Sequence, residues 1–111
     1  MEFGKYLRVL RENRGISLRK LALNVQITAS YLSQVESDLV KPPAEETIKR
    51  LASALGEHPD VLLAMAGRTP DDLKRIIAKR PLLIGELLRE IDNSPDNAVI
   101  RIVREVRDGK W

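Results

Sequence analysis

Phe3, Leu7 and Leu10 recur at helical spacing with charged residues between them, and Gly15 stands where a left-handed stop would fall. The pattern predicts a first helix over residues 2–14. Ser17 then offers an N-cap. Leu21, Ala22 and Val25 share one face of residues 18–25, Gln26 and Ile27 interrupt the period, and Thr28 supplies a second N-cap. Two short helices joined by a tight turn are the consequence. The third helix, residues 29–37, turns Leu32 and Val35 inward and leaves Ala29, Ser30, Ser33, Gln34 and Ser37 on a small, unobstructed polar face.

Residues 38–43 form a loop that closes on a Pro-Pro pair. Ile48, Leu51, Ala52 and Leu55 mark a helix over residues 44–55 that stops at Gly56, and residues 59–66 read as a fifth, nearly all-apolar helix ended by Gly67. Beyond it, Thr69-Pro70, Pro81 and Ser94-Pro95 each have the character of a helix start, which predicts three more helices over residues 70–79, 81–91 and 95–107. No strand-like alternation, repeat or low-complexity tract intervenes. The expectation is an all-α chain: a five-helix domain over residues 1–67 and a short helical region over residues 68–111, serving dimerisation or extending the core.

Composition narrows the picture only a little. Apolar residues make up 43% and charged residues 32% of the chain, with aromatics at 4%, so a core would have to be built from Leu, Ile, Val and Ala. There is no cysteine and a single histidine, His58, which leaves neither a disulfide framework nor a thiolate metal site. No metal or cofactor is expected. No apolar run approaches a bilayer-spanning length, so the reading is cytoplasmic with no membrane partner. The net charge of +3 permits nucleic acid without demanding it.

Residues 18–37, LRKLALNVQITASYLSQVES, carry the functional signal. Leu21, Ala22 and Val25 face Ile27, Leu32 and Val35, and the small Ala22 lets the two helices cross closely. A bulkier side chain there would tilt the exposed face of the third helix out of a major groove. With Ile16-Ser17, Leu21-Ala22, Tyr31-Leu32-Ser33, Glu36, Pro43, Leu51-Ala52 and Ala54-Leu55-Gly56 in order, residues 3–67 closely resemble the lambda-repressor-like Cro and xenobiotic-response-element (XRE) family of helix-turn-helix transcriptional regulators.

The resemblance implies a five-helix domain that binds double-stranded DNA, most often as a repressor. It implies that Thr28 bonds a phosphate, that Ala29, Ser30, Ser33 and Gln34 face base edges, that Lys41 holds backbone, and that Arg11 and Glu36 pair across the domain. The chemistry is compatible, since a helix N-terminus attracts phosphate and a Gln amide can make two bonds to adenine. Arg19 in the first turn of the second helix is a further phosphate candidate, Ser37 joins the DNA-binding set, and Tyr31 reads equally as a contact to the DNA backbone or as a half-buried packing residue with a wet hydroxyl.

The chain departs from the family where Leu18 stands in place of a frequent Gln, and where Gln26 and Asp38 replace frequent glycines. A left-handed Gln26 would cost on the order of 1 kcal/mol. The third helix also has no Lys or Arg, which shifts specificity onto neutral contacts, methyl packing and DNA shape.

Bland readings compete elsewhere. His58 before Pro59 is most simply a helix-start residue, and Glu45-Glu46 and Asp71-Asp72 fall in first turns where acids complement the helix dipole. No Gly-rich phosphate loop, nucleophile–base set or metal cluster is present, so no catalytic residue is assigned and no enzyme is expected. The C-terminal region has three apolar faces that must meet one another, the fifth helix or another chain. A homodimer reading a palindromic operator is the leading expectation. An antitoxin-like or scaffold module that binds a protein partner through the C-terminal helices is the alternative.

Overall fold

Eight helices and no strand follow one another along residues 1–111, all of which the computed structural model describes. They are α1 (Phe3–Asn13), α2 (Leu18–Asn24), α3 (Ala29–Glu36), α4 (Glu45–Leu55), α5 (Pro59–Met65), α6 (Asp71–Lys79), α7 (Pro81–Ile91) and α8 (Asp96–Asp108). The bounds differ from the sequence expectation by at most one residue at any end, where helices fray. No helix is long and apolar enough to cross a membrane. The chain divides into two compact units, Met1–Pro70 and Asp71–Trp111.

In the N-terminal unit, α1 and α2 pack on α3, α2 also meets α4, and α4 packs on α5. The core is aliphatic. Leu7, Leu21, Leu32, Ile48, Leu51, Leu55, Leu62 and Leu63 are fully buried, with Val25, Val35, Ala22, Ala52 and Phe3 filling between them. Each buried leucine contributes roughly 1.5–3 kcal/mol relative to exposure. Ala22 is buried on α2, which packs on α3, as its small size predicts for a close crossing.

All five helices of this unit end in the same pair of backbone hydrogen bonds. Ile16, Ile27, Leu39, Glu57 and Arg68 donate back to the carbonyls of Arg11, Ala22, Gln34, Ala52 and Leu63 at 2.9–3.2 Å, and the residue before each closes a shorter loop. This is the Schellman arrangement, which needs a left-handed residue just past the helix. Gly15, Gln26, Asp38, Gly56 and Gly67 occupy those positions at φ between 57° and 70°. Gln26 therefore does take the strained conformation anticipated for it.

Asp38 has a compensation that the sequence did not suggest. Glu2 makes no side-chain cap on α1, and the Asp38 carboxylate reaches across to accept from the Gly4 N–H at 2.8 Å. An orphan donor is satisfied and an acid is placed at a helix N-terminus. The approach is possible only because residue 4 is glycine, since a Cβ there would collide with the Val35 carbonyl and the Asp38 side chain.

Two further ties bind α1 to the end of α4. Arg14 donates from Nε to the Leu55 carbonyl at 2.7 Å, and Tyr6 donates its hydroxyl to Glu57 at 2.9 Å. Glu57 also accepts from the His58 N–H at 2.8 Å. These bonds, His58 first and Tyr6 second, hold the Glu57 carboxyl below its ordinary range, and the bond to Glu57 raises the Tyr6 phenol. His58 caps α5, its Nδ1 accepting from Asp60 N–H at 3.0 Å.

The C-terminal unit has a different character. α6 and α7 lie against each other, yet no residue of α6, α7 or α8 is buried. Leu73, Ile76, Leu82, Leu83, Leu87, Leu88, Ile100, Val103 and Val106 are exposed large hydrophobics. Ile77, Ile84, Ile91, Val99 and Ile102 are half-buried, so these apolar faces are covered only in part.

Candidate nucleic-acid interface

Ser17 and Thr28 start the two short helices, with Ser17 Oγ accepting from Lys20 N–H at 3.1 Å and Thr28 Oγ1 accepting from Tyr31 N–H at 3.0 Å. A hydroxyl carries one donor and two acceptor sites. Capping uses only one acceptor, so the Thr28 O–H remains able to donate to a phosphate oxygen. The turn between the helices is held by Gln26 and by Arg50 of α4, whose Nε donates to the Val25 carbonyl at 3.2 Å.

α3 is anchored from within. Arg11 Nε and Nη2 grip Glu36 Oε2 and Oε1 at 2.7 and 2.9 Å, and Arg11 Nη1 donates to the Ile16 carbonyl at 3.0 Å. The side chains are 12% and 5% exposed. The forked bond to Glu36 outweighs desolvation and raises the already high Arg11 pKa. Both partners anticipated from the sequence are thus brought together, and the pair fixes the roll of α3 about its own axis.

With Leu32, Val35 and Glu36 buried, the opposite side of α3 presents Ser30, Ser33, Gln34 and the following Ser37, all exposed. The i, i+3, i+4, i+7 spacing puts them in one stripe. Ala29 and Tyr31 differ from this set: both are half-buried and pack against the core, so each offers an edge rather than a whole side chain. The side chains of Arg19 and Lys20 in the first turn of α2, and of Lys41 in the loop after α3, are exposed and take part in none of the ion pairs. Their charge is not neutralised within the molecule.

Two features of this surface escaped the sequence reading. Arg68 Nη2 donates to the Pro42 carbonyl at 2.9 Å, which ties down the loop that carries Lys41 from a residue distant in the chain. Leu39 is 75% exposed immediately after α3. Nothing in a linear pattern distinguishes Arg68 from any other cation, and Leu39 and Val40 stand side by side in the loop, so that only the fold shows that Val40 packs against the core while Leu39 is left outside.

The family model for a helix-turn-helix domain matches residues 2–65. An uncharacterised HTH-type transcriptional regulator of Mycobacterium tuberculosis is 39% identical over 64 residues, 58% of this chain and 45% of the relative. The HTH-type transcriptional repressor RghR of Bacillus subtilis is 37% identical over 65 residues, 59% of this chain and 48% of the relative. The matched stretch thus spans about half the length of these relatives.

Among solved structures, SinR in complex with DNA superposes at a TM-score of 0.52 with 28% identity, over 55% of this chain and 97% of that one. ClgR of Corynebacterium glutamicum superposes at 0.52 with 26% identity, over 79% and 88%. The SinR–SinI complex superposes at 0.54 over 97% of this chain with 18% identity, a likeness of fold.

Proposed function

The chain belongs to the helix-turn-helix domain family, and from that membership we propose that it is a transcriptional regulator that reads duplex DNA with α3. The observation that carries this is the exposed stripe Ser30, Ser33, Gln34 and Ser37 on a helix whose roll is set by the buried Arg11–Glu36 pair. Gln34 reaches an adenine edge, the serine hydroxyls serve either base, and the exposed edges of Ala29 and Tyr31 fill in beside them. Thr28, Arg19 and Lys41 hold phosphates on either side of the groove and set the register without selecting sequence.

Random-site selection with the purified chain tests the proposal. At about 50 mM salt, where backbone contacts still favour binding, a defined sequence should be enriched. Enrichment of none would overturn DNA reading and leave a scaffold or antitoxin-like interaction module.

The partly uncovered faces of α6, α7 and α8 support a second element of the proposal, a homodimer that represses from a palindromic site. An α3 without cations gives one copy few contacts, with binding in the micromolar range of weak complexes. Two copies joined by their C-terminal units and spaced by about 34 Å make the second contact intramolecular. Sedimentation of the full chain, free and on the selected site, should give a dimer. A monomer in both would assign the apolar faces to another protein.

A further inference from the structure

We propose that Leu39 is a specificity-determining residue of the α3 surface, contacting the 5-methyl group of a thymine beside the base pair that Gln34 reads. The inference rests on the DNA-reading function above. A single exposed leucine is unremarkable on a protein surface, so the argument comes from the position it occupies.

In the Schellman arrangement the residue whose N–H reaches back to close the helix lies over the side chain of the residue that accepts it, and an apolar pair there usually packs inward. The N-terminal unit contains that arrangement repeatedly, which allows an internal comparison. Ile16 and Ile27, in the corresponding places after α1 and α2, are half-buried and pack against the core. Glu57 and Arg68, after α4 and α5, use their side chains to bond Tyr6 and the Pro42 carbonyl. Leu39 alone has no such engagement and is 75% exposed.

Its backbone N–H bonds the Gln34 carbonyl at 3.0 Å, so the residue beside it is Gln34 rather than an apolar partner. The next exposed cation is Lys41, two residues on. An exposed apolar side chain thus follows a residue with an amide suited to adenine, to whose backbone its own is bonded, and precedes by two residues a charge suited to phosphate. In the major groove the apolar group that distinguishes one base from the rest is the thymine methyl. The backbone at this turn is held from below by the Asp38–Gly4 bond, so the Leu39 side chain is presented from a fixed base.

The probe is the duplex enriched by random-site selection with the full chain, together with copies in which deoxyuridine replaces one thymine of each half-site at a time. Loss of one buried methyl corresponds to roughly fourfold in affinity. For the native chain, one deoxyuridine position next to the Gln34-dependent pair should weaken binding by about that factor. Leu39→Ala should weaken binding to the thymine duplex severalfold and be indifferent to deoxyuridine at that position, whereas Leu39→Met should keep the discrimination.

Binding by Leu39→Ala equal to native, or an equal loss on both duplexes, overturns the assignment. Retained affinity of Leu39→Ala for random-sequence DNA shows that the variant is folded. Failure of the native chain to enrich any sequence is a separate result, and removes the DNA-reading function and this assignment together.

Discussion

Glu36→Ala should destabilise the N-terminal unit by about 3–5 kcal/mol, because it breaks a buried pair from one side. The environment supports the larger class of effect: the side chains of Arg11 and Glu36 are 12% and 5% exposed. Two hydrogen bonds of 2.7 and 2.9 Å vanish, and the guanidinium keeps only the Ile16 carbonyl at 3.0 Å. A unit of this length has roughly 4–10 kcal/mol in all, so the variant would be close to unfolding at ambient temperature. Both tyrosines, Tyr6 and Tyr31, lie in this unit and the single tryptophan, Trp111, lies outside it. Near-ultraviolet tyrosine dichroism of the full chain in a urea titration therefore follows the relevant transition. Replacing both partners, Arg11→Met with Glu36→Leu, should cost less than Glu36→Ala alone, since no charge is then stranded. A loss under about 1 kcal/mol for Glu36→Ala, the range of exposed pairs, would refute the reasoning and leave α3 held by its apolar contacts only.

Gly4→Ala should lower stability by about 1–3 kcal/mol through overpacking against Val35 and Asp38, although the same change in an open helix stabilises by up to about 1 kcal/mol; a raised melting temperature would contradict the close approach. Gln34→Ala should cost roughly 1–3 kcal/mol at one base pair of a half-site, whereas Lys41→Ala should weaken all sequences alike and reduce the salt slope by about one, both read by competition titrations at several salt concentrations. The depressed Glu57 carboxyl contributes stability that is present above its ordinary value of 4.5 and lost as pH falls through the lower folded value. Tyr6→Phe removes one of its donors, so melting temperatures of native and variant should differ at pH 7 and converge as pH falls through that lowered folded value; a gap that stays constant as the carboxyl protonates would show that Tyr6 acts by packing alone.

The helices and their caps could be read along the chain because they depend on residues three or four apart. Ser17, Thr28, His58 and Pro81 start helices by bonds or ring geometry local to the first turn, and the periodic Leu, Ile and Val of residues 3–63 became the core. The outward stripe of α3 was legible for the same reason, since burial of Leu32 and Val35 assigns the opposite face to solvent. Ala29, read from the sequence with that stripe, proved to be shared with the core because it lies at the border, and Tyr31 is half-buried against the core, the packing position that its amphipathic ring already allowed.

Contacts between segments far apart had no such signature. Asp38, which stands where the family often has glycine, is brought by the fold to 2.8 Å from the Gly4 N–H, and Arg14, Arg50 and Arg68, which no motif singles out, each donate to a carbonyl far away in the chain. An exposed charge and one that closes a helix end have the same neighbours in a linear sequence; only packing determines which carbonyl lies within reach. The C-terminal unit marks the other boundary. Its amphipathic periods specify α6, α7 and α8, but period alone gives each apolar face no address, and folding of the single chain buries none of their residues fully.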